Sequence, residues 1–290
     1  SSQHDGNHVA SLASKAGLKC ASERTTQVQP STDRYTGLNA GLPARAEPMT
    51  NKPLRNLADW VNFLNRTDIP VLRRTVAALD ALRENGEEEL NVREIAEIVY
   101  RDPLMTLKVL AYMSTHRGAR QLTDIETVEQ AIAMMGVPPF FRRFSNMKTV
   151  EDALRDQHKA HLGLMRVVTR AYRAAQFAQD WATRRQDLDY AVIVVATLLH
   201  DFAEMLIWSF FPTQALTMRD MQQQDPTLRS VTAQQAVIGC TLNELELALM
   251  KRWRLPELVV KMTDRAHAEH PQVRNVQYAV NLARHCANGW

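Results

Sequence analysis

The sequence lacks most of what marks a secreted, membrane-spanning or phosphate-cradling protein. Its three cysteines, Cys20, Cys240 and Cys286, form no CxxC pair and no other metal-ligand spacing. An odd count without a secretion signal points to free thiols in a reducing cytoplasm, and residues 1–20 lack the apolar core of a signal peptide. The longest apolar run, Tyr190 to Leu199, is shorter than the roughly 20 residues a membrane-spanning helix needs, so no membrane partner is expected. Charge of one sign is also scarce. The formal net charge is +3, basic and acidic residues are interleaved, and the strongest basic cluster is Arg142-Arg143 between Phe141 and Phe144. Nucleic-acid binding draws its affinity from concentrated phosphate contacts, so such a partner is not expected. Neither G-x-G-x-x-G nor G-x-x-x-x-G-K-[ST] occurs, and there is no G-x-S-x-G or H-E-x-x-H. No cofactor is implied.

What is present reads as helix. Ten glycines, 7% aromatics and 45% hydrophobic residues in 290 fit a helical globular protein better than a turn-rich all-β one. Residues 1–52, rich in Ser, Thr, Asn, Gly and Pro, cannot bury enough apolar surface to offset their ordering entropy. They read as a flexible linker or tail, and a chain that starts at Ser1 without methionine reads as a cut from a longer polypeptide.

From Leu54 onward apolar residues recur at helical spacing. Asp68, Pro70 and Gly86 mark the start and stop of one helix, with Val71, Leu72, Thr75, Val76, Leu79 and Leu82 as its buried face. Asn91 with Glu94, and Thr127 with Gln130, form capping boxes, and Asp102 before Pro103 opens another helix. Pro138-Pro139 predicts a break before "FFRRF", with Met134, Met135 and Phe140 as core residues. A long amphipathic helix runs through "HLGLMRVVTRAYRAAQFAQDWA". The segment "DLDYAVIVVATLLHDFAEMLIWSFFP" is apolar nearly all round and predicts the central helix of a bundle. No alternating segment predicts a strand. The expected fold is all-α, a two-lobed helical bundle with residues 54–150 as its N-terminal lobe and 151–290 as its second.

One constellation carries chemistry. His200-Asp201, at the end of an apolar run, offers an imidazole and a carboxylate of the kind that hold a catalytic metal. Two ligands are too few for such a site, and an adjacent pair in an apolar helix is more often a buried hydrogen-bonded pair. Of the remaining histidines only His158 and His161 precede a helix placed to face the pair.

Four stretches in order resemble the HDOD proteins, divergent relatives of the HD phosphohydrolases. They are "DPLMTLKVLAYMS" from Asp102, "TVEQAIAMMG" from Thr127, "LLHDFAEMLI" from Leu198 and "ALMKRWRLPELVV" from Ala248. Met113 and Ala203-Glu204 depart from the family pattern. The resemblance implies an HD-like bundle over 54–290 and a cytoplasmic role in bacterial signal transduction, as an output module with protein partners downstream of a receiver. In catalytic HD enzymes a histidine of the preceding helix and a later aspartate complete the metal site. By the resemblance those positions fall on Arg166 and Asn281, and a further histidine position falls on Leu242. A guanidinium has no lone pair to donate, so Arg166 cannot bind metal and is expected instead to pair with Asp201. Asn281 offers only a neutral carbonyl. His200, Asp201, Arg166 and Asn281 thus read as a vestigial site, with no catalytic residue and no metal. The alternative is a metal-dependent phosphohydrolase of a nucleotide or cyclic dinucleotide, and a third reading is a ligand sensor that uses a cavity between the lobes.

Overall fold

The computed structural model describes Leu54 and residues 56–84, 90–116 and 125–287. The 1–52 segment and Gly86 lie outside the described residues. Among the described residues the protein is all-α, with fifteen α-helices and one 3-10 turn. Its single β-type contact is a parallel bridge between Val71 and Thr149.

Helices α1 (Leu57–Arg66), α2 (Arg73–Glu84), α3 (Val92–Tyr100), α4 (Pro103–Thr115), α5 (Val128–Met135) and α6 (Val137–Arg143) precede the one-turn α7 (Val150–Ala153) and the long α8 (His158–Arg184). Both expected capping boxes form, at Asn91/Glu94 and Thr127/Gln130. Asp68 does not cap α2. The chain stays extended through Val71, α2 begins at Arg73, and Asp68 pairs with Lys108 Nζ at 2.8 Å. The cap comes from Asp102. Its Oδ1 accepts the Leu104 and Met105 N–H groups at the start of α4, and its Oδ2 accepts the Leu72 N–H and the Thr75 hydroxyl at the start of α2. One buried carboxylate therefore joins two helix N-termini. Burial pushes its pKa above the ordinary range although all four donors pull the other way.

Pro138 and Pro139 do not break the chain as expected. They sit in the first turn of α6, where missing N–H groups cost nothing, and Gly136 at φ 84° makes the corner instead. Met134, expected in the core, is exposed, while Phe140 is fully buried.

The second half comprises α9 (Tyr190–Leu199), α10 (Phe202–Phe210), α11 (Pro212–Gln224), α12 (Ser230–Ile238), α13 (Leu242–Arg252), α14 (Glu257–Thr263), a 3-10 turn at Arg265–His267 and α15 (Pro271–Ala287). The expected single central helix is two helices, interrupted at His200-Asp201. Tyr190–Phe210 has the length and apolar character of a membrane span, and 83% of its most apolar stretch is buried inside the protein.

Two apolar cores result. One gathers Val71, ahead of α2, with Ile95, Val99, Val128, Ile132 and Phe140 of α3, α5 and α6. The other gathers α8–α15 and also Trp60 and Leu64 of α1. Although sequence order places α1 with the first lobe, it packs on the bundle: Trp60 Nε1 donates to the Ile238 carbonyl at 2.8 Å and its ring meets Phe211 edge-on. Helix α4 feeds both cores, with Leu104, Leu107 and Leu110 on one side and Met105 and Val109 on the other.

The register of α8 against α10 is set by a glycine. A Cβ at Gly163 would stand 2.5 Å from the buried Trp208 ring, so the indole lies directly on the α8 backbone. Seven residues, two helical turns, separate Gly163 from Arg170, and seven separate Asp201 from Trp208. In antiparallel helices that contact brings Arg170 level with Asp201. Gly163→Ala is expected to destabilise the protein by about 1–3 kcal/mol, despite alanine's better helix propensity, because the ring must move. Urea denaturation measures the loss, and Trp208→Phe in the same chain is expected to recover part of it.

Candidate functional site

The interruption between α9 and α10 presents His200 and Asp201 inside the bundle, with relative exposures of 4% and 7%. Both Asp201 oxygens are engaged. Oδ2 accepts Arg170 Nε at 3.0 Å and Nη2 at 2.8 Å. Oδ1 accepts Arg284 Nη2 at 2.6 Å and faces His200 Nδ1 at 3.1 Å. Arg170 Nη2 also reaches Glu204 Oε2 at 2.6 Å, and Glu204 Oε1 receives the Trp208 indole N–H at 3.4 Å. Three segments, α8, the α9–α10 turn and α15, are thus tied at one carboxylate.

The electrostatics follow. Burial alone would raise the Asp201 pKa, but the His200 hydrogen bond and the Arg284 and Arg170 charges outweigh it and hold the carboxyl well below the usual range. Burial would likewise lower Arg170, yet Glu204 and Asp201 raise it. Glu246 of α13 behaves oppositely. It is 3% exposed, its Oε1 has no hydrogen-bond partner, and burial together with the nearby Asp201 charge raises its pKa well above the ordinary value.

The expected set is partly brought together. His200 and Asp201 meet as anticipated. Arg166 is exposed, and the pairing expected of it is made by Arg170, one turn later. Asn281 is also exposed, and Arg284, one turn on, takes its place. Leu242 opens α13 half-buried. His158 and His161 line a separate cavity with Arg73, Glu151 and Arg155. The sequence marked Glu204 only as a departure from the family pattern, and did not single out Glu246, Arg170 or Arg284. Only Glu246 carried a clear signal, an acid on the apolar Leu242, Leu245, Leu249 stripe of a helix.

As the side chains stand, Asp201 turns no free oxygen towards a metal: two guanidinium groups, which cannot ligate a cation, occupy both. Asp201→Asn is expected to cost about 3–5 kcal/mol, because it leaves two guanidinium groups facing a neutral amide. The folded pKa of Asp201 is depressed. Its contribution is therefore complete above the unfolded value of about 3.9 and is lost as pH falls through the folded value. Denaturation of the wild type and variant is expected to differ equally at pH 7 and pH 5, and less near pH 3. For Glu246 the sign reverses. Its folded pKa is raised, so its contribution is complete below about pH 4.3 and declines as pH rises. Glu246→Gln is expected to gain on the wild type between pH 5 and pH 8 in the same measurement.

The HDOD domain matches residues 69–269. No curated protein matches the chain. Among solved structures, a virulence factor of Campylobacter jejuni subsp. jejuni is similar at 18% identity and a TM-score of 0.59, over 79% of this chain and 82% of that one. The MmoQ response regulator of Methylococcus capsulatus str. Bath is similar at 17% identity and a TM-score of 0.58, over 77% and 87%. At such identities these two carry the fold, and the domain match over more than half the length carries the family. The all-α protein with an arginine-filled HD pocket belongs to the HDOD family.

Proposed function

We propose that this HDOD protein is a non-enzymatic signalling module that acts through protein contacts in the cytoplasm, downstream of a receiver or sensory domain. The observation that carries the reading is the double guanidinium clamp on Asp201, at 2.6–3.0 Å, where a hydrolase would need lone pairs turned towards a metal. The clamp turns a site for chemistry into a structural tie between helices. The similar Methylococcus structure is that of a response regulator, which favours a receiver as the upstream partner.

A second reading, a small-ligand sensor, is favoured by one cavity. It measures about 360 Å³ and lies between α3 and α5 on one side and α8 and α9 on the other. Tyr100, Glu129, Tyr172, Gln176 and Tyr190 line it, an aromatic and hydrogen-bonding surface suited to a flat polar molecule.

The deciding experiment incubates purified protein with a cyclic dinucleotide and with bis(p-nitrophenyl) phosphate, each with and without Mn²⁺. No turnover above buffer is expected in any arm. Hydrolysis that disappears in His200→Ala would establish the phosphohydrolase and remove the proposal. Thermal-shift measurements with nucleotides, with Tyr172→Ala as control, separate the sensor reading from both.

A further inference from the structure

The segment between α14 and α15, "DRAHAEHP" from Asp264 to Pro271, folds as successive tight turns. Asp264 Oδ1 accepts the Ala266 N–H at 2.9 Å, and the His267 N–H returns to the Asp264 carbonyl at 3.1 Å. The His270 N–H bonds the His267 carbonyl at 3.1 Å, and Pro271 opens α15. Residues three apart in such turns lie side by side. His267 and His270 therefore stand next to each other, with ring centroids 6.3 Å apart, and Glu269 lies between them. Glu269 Oε1 is 3.8 Å from His267 Nδ1 and 3.4 Å from His270 Nε2. One ligand atom from each residue lies within 4.8 Å of the other two.

Those separations have a meaning. Ligand atoms about 2.0–2.1 Å from a tetrahedral zinc stand about 3.3 Å from one another. The Glu269–His270 separation is already close to that edge, the Glu269–His267 separation needs about half an ångström of closure, and the His267–His270 edge, within 4.8 Å, needs at most about 1.5 Å. Half-exposed imidazoles on a short turn can move that far at little cost. Two imidazoles and one carboxylate suit zinc, nickel and copper rather than magnesium or calcium, which prefer all-oxygen shells. A tripod leaves the fourth position open to water or to a donor from another molecule.

We propose that His267, Glu269 and His270 form a divalent transition-metal site on the protein surface, separate from the HD pocket. The ion would fasten the turn that leads into α15, the helix that carries Arg284 to Asp201. His200 and Asp201 take no part, so the site and the signalling reading stand or fall independently.

The test uses the full 290-residue chain without a histidine tag, freed of metal by chelator and titrated with zinc chloride in a calorimeter. One saturable equivalent is expected in the wild type, with a rise in the unfolding midpoint when zinc is added. His267→Ala with His270→Ala is expected to weaken that binding by more than about tenfold, and Glu269→Gln by less. His158→Ala with His161→Ala, and separately His200→Ala, are expected to bind as the wild type does. Absence of saturable binding by the wild type overturns the proposal. So does wild-type affinity in the His267/His270 variant, or equal weakening in either control. Circular dichroism checks the fold of each variant. Should the double variant not fold, the electron paramagnetic resonance spectrum of one equivalent of Cu²⁺ on the wild type decides. Coupling to two imidazole nitrogens that Glu269→Gln preserves supports the site, and an all-oxygen spectrum refutes it.

Discussion

The buried carboxylate of Asp201 is the interaction on which the bundle turns. Alone, an ionised aspartate at 7% exposure would be expelled or neutralised. Here Arg170 of α8 and Arg284 of α15 converge on it from either side, and His200 fills the remaining approach. The charge stays, and α8, α15 and the α9–α10 turn are held at one point. An ion pair in such a place need not add much net stability, because desolvation cancels much of the attraction. What it does is forbid alternatives: any sliding of α8 or α15 leaves a charge buried without its partner. Glu246 shows the other side of the same field. It lies near Asp201, its Oε1 has no hydrogen-bond partner, and burial favours its neutral form although Arg284 and Arg265 pull the other way.

A second carboxylate has the corresponding role in the first lobe. Asp102 caps α4 and α2 together, and α4, buried on both sides, passes from one core to the other. Lys108 on that helix is buried too, and carries its charge out to Asp68 and the Ile69 carbonyl. The two cores are coupled through this helix rather than only touching across a seam. A disturbance in either core therefore has a packed route to the other.

Much of this was legible in the chain. Capping boxes are local, so Asn91/Glu94 and Thr127/Gln130 could be read from spacing alone. The apolar stripe of α8, from Leu164 to Ala178, is buried as its periodicity predicts. Less legible were features in which a local signal had two outcomes. Two prolines can end a helix or begin one, and Gly136 decided in favour of a beginning. A run apolar all round can be one helix or two, and nothing in its composition marks the interruption at His200-Asp201.

The sequence by itself determined the all-α class, most of the helical segments, the family landmarks and the adjacency of His200 and Asp201. Tertiary structure alone decided which residues keep that company. Arg166 and Arg170 sit one turn apart on the same helix, and periodicity cannot choose between them. The choice depends on how far α8 is displaced along α10, and that displacement is fixed where the Trp208 ring rests on Gly163. Asn281 and Arg284 pose the same ambiguity on α15, resolved by packing against α8 and α9. Axial offset between helices belongs to a pair of surfaces, and no single segment of sequence contains it.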